Sequence, residues 1–458
     1  MQSVPKQLRF PLAGVAADID YRRATLPTED QDYATPSAVN VVGEAAFEER
    51  LRGGSRPGLA LVGSVASSGT GRWLWPNGEK VLWPTGDNVA FSTLGDSVFL
   101  PDGSGIIIPH QTYKIPSVSG APVSASIATV YRDRLFAAAG TMWYASATGS
   151  FSDFDYSSDA GVVTRAAAGN TALAGRLAEP ITALAAIDDR MLYIATARSL
   201  RLLQGEPTNG TFSVASESVG IISRDAWCRV GGGMFFIGPN GLYGITPGEP
   251  PLLLSSRLPL TLKGLASATL VADYERNGVH ILMGDNTEWF YEISTKALWL
   301  QQYPVSIAPR MGGHAVVGGV NKTVFRCADG GWRMWSDAAD RDELNGSADA
   351  AITSSVVIGP FRNGRRDDVD GMLDEITATL AEDSDDVQMF VHAAHSAEAA
   401  VCRAKSGIVD AEFTVKAGWN RNVRPRVRGA WCCITLASTG KWAFEGLLIT
   451  TKILGRLR

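Results

Sequence analysis

The sequence predicts an all-β fold, a β-propeller followed by a β-sandwich, and three observations carry that expectation. The 458 residues include 48 Gly, 22 Pro and 45% apolar residues, yet almost no stretch carries apolar residues at helical spacing for three turns. Short apolar runs are instead joined by tight turns bearing Gly, Asn or Asp, the sequence form of antiparallel hairpins. One such turn-plus-strand returns at a fixed step: Asp189, Gly233, Asn277 and Asn321 stand 44 residues apart, the size of a four-stranded propeller blade. A sandwich also has frequent turns but gives no reason for a blade-sized repeat.

The repeating unit is clearest between Tyr131 and Tyr156. The charged turn at Arg132-Asp133-Arg134 leads into Leu135–Ala139, Gly140 stops that run, and Met142–Ala145 returns as a second strand. Ser146–Tyr156 mixes Ser, Gly and Asp with Phe151, Phe154 and Tyr156, which predicts an ordered loop pinned by its rings.

Taken in order, residues 1–60 read as an N-terminal arm that packs on the second domain or on a neighbouring subunit. Within it Pro36–Val42 predicts a strand and Glu44–Leu51 a short helix, and Arg50, Arg52 and Arg56 flank glycines and a proline in a basic turn. Residues 61–335 form the propeller. Asn77-Gly78 between Trp73–Trp75 and Val81–Trp83 opens a meander that runs to Ile108, and five further copies follow, so six blades are expected, with five as the alternative. Ser336–Asp349 is polar and acidic, which marks residues 336–350 as a linker. Residues 351–458 alternate apolar and polar side chains, as in Ile376–Leu380 and Val387–Val391, and predict a separate β-sandwich.

Charge and cysteine usage exclude several function classes. A formal net charge of −5 speaks against a broad phosphate-gripping face, which needs surplus Lys and Arg. Five cysteines without CxxC spacing suit a reducing compartment and argue against a zinc site. The apolar run after Lys6 and Arg9 is short, contains Pro11 and ends at Asp18, so no export signal is expected. No run reaches the ~20 apolar residues of a membrane-spanning helix, and no membrane contact is expected.

The search for chemistry yields no catalytic, cofactor or metal residues. Ser157–Gly161 has the first half of a sialidase-type Asp-box turn but lacks its closing Thr-Trp and does not recur. His392 and His395 lack a third ligand and read as structural histidines. Cys432-Cys433 sits in an apolar strand, with one side chain expected inward and one outward. Gly231-Gly232-Gly233 precedes a strand rather than a helix, so it makes no phosphate loop, and Asp367–Gly371 has calcium-loop acidity without the ligand spacing.

Tyr131-Arg-Asp-Arg-Leu-Phe with Met142-Trp-Tyr-Ala-Ser and Phe151-Ser-Asp-Phe-Asp resembles a recurrent segment of bacteriophage tail proteins. In particular it is similar to the β-propeller nozzle, also called head-tail stabilising or tail tubular, proteins of short-tailed phages. The resemblance extends to Arg52-Gly-Gly-Ser-Arg-Pro-Gly, to Gly233-Met-Phe-Phe-Ile with Asn240-Gly-Leu-Tyr, and to Gly371-Met-Leu-Asp-Glu-Ile. It implies a virion protein assembled in the host bacterial cytoplasm as a ring of six copies. Such a ring binds the portal adaptor or other tail proteins, closes the capsid and conducts DNA without specific binding. It brings no catalytic residues and no cofactor. Arg22, Arg23, Arg50, Arg52 and Arg56 are the expected subunit or partner contacts. A propeller enzyme acting on glycans and a monomeric protein-binding platform are the alternatives from other classes, the first requiring paired carboxylates at one rim.

Overall fold

The structure, a computed structural model, describes residues 3–16, 33–44, 51–64 and 127–456, apart from 151–152, 158–160, 172–177, 257–264, 266–267, 318–319, 345–348 and 364–368. Between Ser64 and Ile127 it describes only residues 73–74, 80–81, 89–91, 112–113, 120, 122 and 125.

Five antiparallel meanders succeed one another along the chain. The first comprises Ile127–Tyr131, Arg134–Ala139, Met142–Ala145 and Ala167–Asn170. Ile181–Asp188, Met191–Thr196, Leu200–Gln204 and Thr211–Ser216 make the second, and Trp227–Val230, Gly233–Gly238, Gly241–Ile245 and Leu252–Leu253 the third. The fourth is Thr269–Asp273, Gly278–Leu282, Thr287–Glu292 and Ala297–Gln302. In the fifth, Pro309–Val317, Val320–Cys327 and Gly331–Ser336 are joined by Gly58–Ser64 from near the N-terminus.

The repeated turn occupies the same place in every copy. Asp133, Asp189, Gly233, Asn277 and Asn321 all lie at the hairpin between first and second strands. Arg132 and Asp133 both take φ of 53° between the paired residues Tyr131 and Arg134, the left-handed backbone of a two-residue hairpin turn that matches strand twist. These hairpins also hold neighbouring meanders together. Arg132 Nη1 donates to Asp189 O at 3.0 Å, Tyr274 Oη donates to Arg229 O at 3.1 Å, and Lys322 pairs with Glu275.

First strands of successive meanders touch, Ile127–Tyr131 with Ile181–Asp188, Trp227–Val230 with Thr269–Asp273, and the latter with Pro309–Val317. Apolar faces close between them: Phe136, Trp143, Leu184 and Ile194 form one cluster, and Tyr193, Trp227, Phe236 and Ile281 belong to the next. Gly58–Ser64 zips onto Gly331–Ser336 in the register Gly58 to Ser336 and Leu59 to Trp335, so the strand that precedes the first meander completes the last. The sixth copy expected over Trp73–Ile108 lies outside the described residues except for Trp73–Leu74, Lys80–Val81 and Val89–Phe91. Of these, the first two pair with each other, and the third lies parallel to Ile127–Tyr131.

The C-terminal region is a sandwich. One sheet runs Ser3–Leu8, Phe444–Arg456, Val369–Leu380, Gly418–Val423. The other contains Ser354–Arg362, Trp431–Ser438, Val387–Ala394 and Ala411–Val415. Leu373, Ile376, Leu447 and Ile449 of the first belong to one buried cluster with Val356, Met389, Val391 and Ile434 of the second. The helix Ala397–Lys405 is capped by Ser396 and buries Ala397, Ala400 and Val401 against the outer face of the second sheet.

Three expectations need correction. The sandwich is not separate: the two-residue strand Ala38–Val39 pairs with Leu300 on one side and with Ser355 and Val356 on the other, fusing the fourth meander and the sandwich into one nine-stranded sheet. Residues 336–350 are not a free linker, since Ser336 ends a strand, Arg341–Asp342 pairs with Ala350–Ala351, and Asp342 is buried. Glu44 and Leu51, expected as helix ends, pair with each other as strand residues; residues 45–50 lie outside the described residues.

Candidate functional site

Of the five arginines expected at a contact surface, Arg22, Arg23 and Arg50 lie outside the described residues. Arg52 is mostly covered and pairs with Glu445 of the sandwich. Arg56 corrects the surface expectation outright. It is 2% exposed, forks onto Asp342 at 2.8 and 2.6 Å, and lies over the Tyr303 ring at 4.3 Å. Its Nε donates to Asn40 Oδ1 at 3.2 Å, and the same oxygen accepts from Gln302 N at 2.7 Å. A guanidinium so enclosed is tenable because its donors meet acceptors in the fork geometry that a carboxylate matches. The basic turn is therefore an internal clasp among the arm, the fourth meander and the connection to the sandwich.

Arg56 is one end of a longer polar chain. Tyr303 Oη donates to Glu288 Oε2 at 2.7 Å and accepts from Trp335 Nε1 at 3.0 Å. Glu288 Oε1 meets His280 Nδ1, and His280 Nε2 lies 3.0 Å from Asp273 Oδ2. Hairpin register explains the assembly: Asp273 and His280 lie on paired strands, as do His280 and Glu288, at diagonal positions of one sheet face. Burial works against a charged imidazole here, but the flanking carboxylates of Glu288 and Asp273 outweigh it and raise the His280 pKa to about 9. The Asp273 carboxyl, though opposed by burial, is held below its ordinary range mainly by His280.

A histidine between carboxylates is also a catalytic arrangement, but this one is sealed. Phe290, Phe325 and Trp335 pack around the ring at 4.7–4.9 Å between centroids, and His280 and Glu288 have no exposed surface. No substrate reaches it, and its chemistry is adhesive. Sequence reading missed it; the signal available was His280 at the centre of the apolar strand Gly278–Leu282 and Glu288 within the next one.

The remaining candidates are also internal. His392 makes contacts of 2.7 Å to Ile408 O and 2.9 Å to Thr435 Oγ1, and burial lowers its pKa; His395 is exposed. Cys432 and Cys433 lie on opposite faces of their strand, as expected, and both are buried. Cys432 faces the sandwich core, whereas Cys433 faces the helix that covers the opposite side. Residues 158–160 of the Asp-box-like turn and residues 367–368 of the acidic turn lie outside the described residues. Among the described residues no group of His, Cys, Asp and Glu is arranged to hold a metal ion.

The segment that carries the phage-tail resemblance uses its arginines on partners within the fold. Arg134 has no exposed surface and donates to Ser146 O, Arg165 O and Val163 O at 2.6–2.8 Å, while its Nε meets Glu206. Phe154 is buried, Tyr156 lies 6.4 Å from the Tyr144 ring, and Asp155 caps Ser157. Phe151, the third ring expected to pin the loop, lies outside the described residues.

No family model matches the chain, and no curated protein matches it. Among solved structures the chain is similar to the extracellular domain of a putative one-component system from B. thetaiotaomicron. That likeness has a TM-score of 0.36 and 10% identity over 71% of this chain and 44% of the other, so the chain spans less than half of that neighbour, and function has to be argued from the residues.

Proposed function

We propose that the chain is a structural virion protein, a nozzle or head-tail connector subunit of a short-tailed phage that forms a ring and conducts DNA through it. The observation that carries this reading is the internal use of the charged residues in the resembling segment. Arg132 and Arg134 both serve Glu206 and neighbouring carbonyls, so the motif reads as scaffold rather than catalyst. The fusion of sandwich and fourth meander through Ala38–Val39 into one nine-stranded sheet ties the two halves by backbone pairing, which suits a structural subunit. Exposed apolar side chains such as Trp419 and Val320 offer material for the head-to-tail contacts that close a cyclic assembly. A glycan-cleaving enzyme requires two carboxylates facing an open cleft, whereas Asp273 and Glu288 are enclosed on either side of His280.

Mass photometry of the purified full chain, followed by electron microscopy, tests this reading. A closed ring with an axial channel is the expected result, six copies being the expected number. A protein that stays monomeric at micromolar concentration and in the presence of portal and adaptor proteins overturns it.

A further inference from the structure

A cleft of about 150 Å³ lies between the first and second meanders, lined by Trp143, Asn170, Thr171, Ile194, Arg201 and Phe212. Its floor is aromatic for a reason visible in the register. Trp143 pairs with Gly169 on the outer strand, and a Cβ on Gly169 would stand 2.5 Å from the indole, so only glycine lets the ring lie flat there. Phe212, on the outer strand of the second meander, stacks on Trp143 at 5.6 Å and 27° and stays 44% exposed.

Arg201 enters the same cleft. Its Nη2 donates to Thr171 O, while its Nε is shut off from solvent without an acceptor among the described residues. Desolvation by burial lowers its pKa, and among the described residues no acidic neighbour offsets that effect. The enclosed arginines elsewhere are treated differently: Arg56 has Asp342, Arg134 has Glu206, and Arg333 has Asp329. Glu179, whose carbonyl accepts from Thr171 Oγ1, turns its carboxylate to Thr196 Oγ1 at 2.7 Å instead. A half-buried guanidinium without a countercharge among the described residues, beside an aromatic floor, is complementary to an anion whose ring presents an apolar face.

We propose that this cleft binds a small carboxylate borne on a six-membered ring, with the carboxylate on Arg201 and the face of the ring on Phe212. A cavity of roughly 150 Å³ holds a benzene-sized body, which limits the ligand to a single ring. Two sources supply that chemistry, the uronic acid of a glycan and a free aromatic acid.

Isothermal titration of the full chain with D-glucuronate, benzoate and neutral D-glucose tests the proposal, with Arg201→Gln and Phe212→Ala as variants. Saturable binding of at least one carboxylate, no binding of glucose, and about tenfold or greater weakening in Arg201→Gln are expected. Glucuronate alone identifies the glycan acid, benzoate alone the aromatic acid, and both together the carboxylate on a ring as the element recognised. Failure of both acids to bind the unaltered chain overturns the proposal, as does undiminished affinity in Arg201→Gln. If Arg201→Gln lowers the thermal midpoint, Phe212→Ala decides instead. Its substitution falls on an exposed ring, and unchanged affinity there removes the floor from the proposal.

Discussion

Arg56 and Asp342, 286 residues apart in the chain, form a two-pronged ion pair whose side chains are 0% and 1% exposed. Removing Asp342 leaves a guanidinium buried without its charge partner. Asp342→Ala is expected to cost about 3–5 kcal/mol of unfolding free energy. The double variant Arg56→Met/Asp342→Ala should cost less than the sum of the two single changes. Urea denaturation of the four proteins of this cycle checks both statements, and additivity of the single effects would show that the pair is not coupled.

His280 makes stability depend on alkaline pH. Its folded-state pKa, about 9, lies above the ordinary 6.5, so the charged ring's contribution is complete below 6.5, declines above it and is lost as pH passes about 9. The Asp273 carboxyl, held below 3.8, acts in the opposite sense and loses its contribution as pH falls beneath that value. The unfolding free energy from urea titration should therefore hold a plateau in mildly acidic solution and fall on the alkaline side by up to about 1.4 kcal/mol per pH unit. His280→Gln should flatten the alkaline limb, and a limb of unchanged steepness in that variant would assign it to other groups.

Gly53 fastens the N-terminal arm. Its φ is +70°, and a Cβ there would lie 2.1 Å from the ring of Phe10. Phe10 in turn is held at 5.6 Å from Trp299 and 6.1 Å from Phe444, so it has little room to retreat. Gly53→Ala should destabilise the chain by about 1–3 kcal/mol and speed proteolysis between the arm and Gly58–Ser64. Unaltered cleavage and an unaltered denaturation midpoint would contradict the fastening role.

Treatment of DNA follows from charge. A net −5 leaves no surplus of cations for counterion release, and a conduit that released many counterions would hold the duplex rather than pass it. Fluorescence anisotropy with labelled duplex should show no salt-sensitive binding at physiological ionic strength, and a ring of the kind proposed should turn neutral or negative charge toward its axis. Tight binding that weakens steeply with added salt contradicts this expectation.

What the sequence by itself determined is local. The hairpin turns at Asp133, Asp189, Gly233, Asn277 and Asn321 were legible because turn chemistry and strand alternation act over a few residues, and the 44-residue step from Asp189 to Asn321 is visible without any contact. The alternation of Ile376–Leu380 and Val387–Val391 likewise announces half-buried strands. The tertiary structure decided which charges go inside. Arg56 read as a contact residue of a basic turn and Arg134 as part of a charged turn, because a lone charge is costly to bury; only partners brought from elsewhere in the fold make their burial, and that of Arg333 and His280, tenable. It decided the fusion of the two halves as well: a strand over Pro36–Val42 was legible, but not that Ala38–Val39 would fill the gap between Leu300 and Ser355. The cleft beside Arg201 belongs to the same class. Trp143, Arg201 and Phe212 sit on three different strands, and their chemistry appears only where two meanders meet.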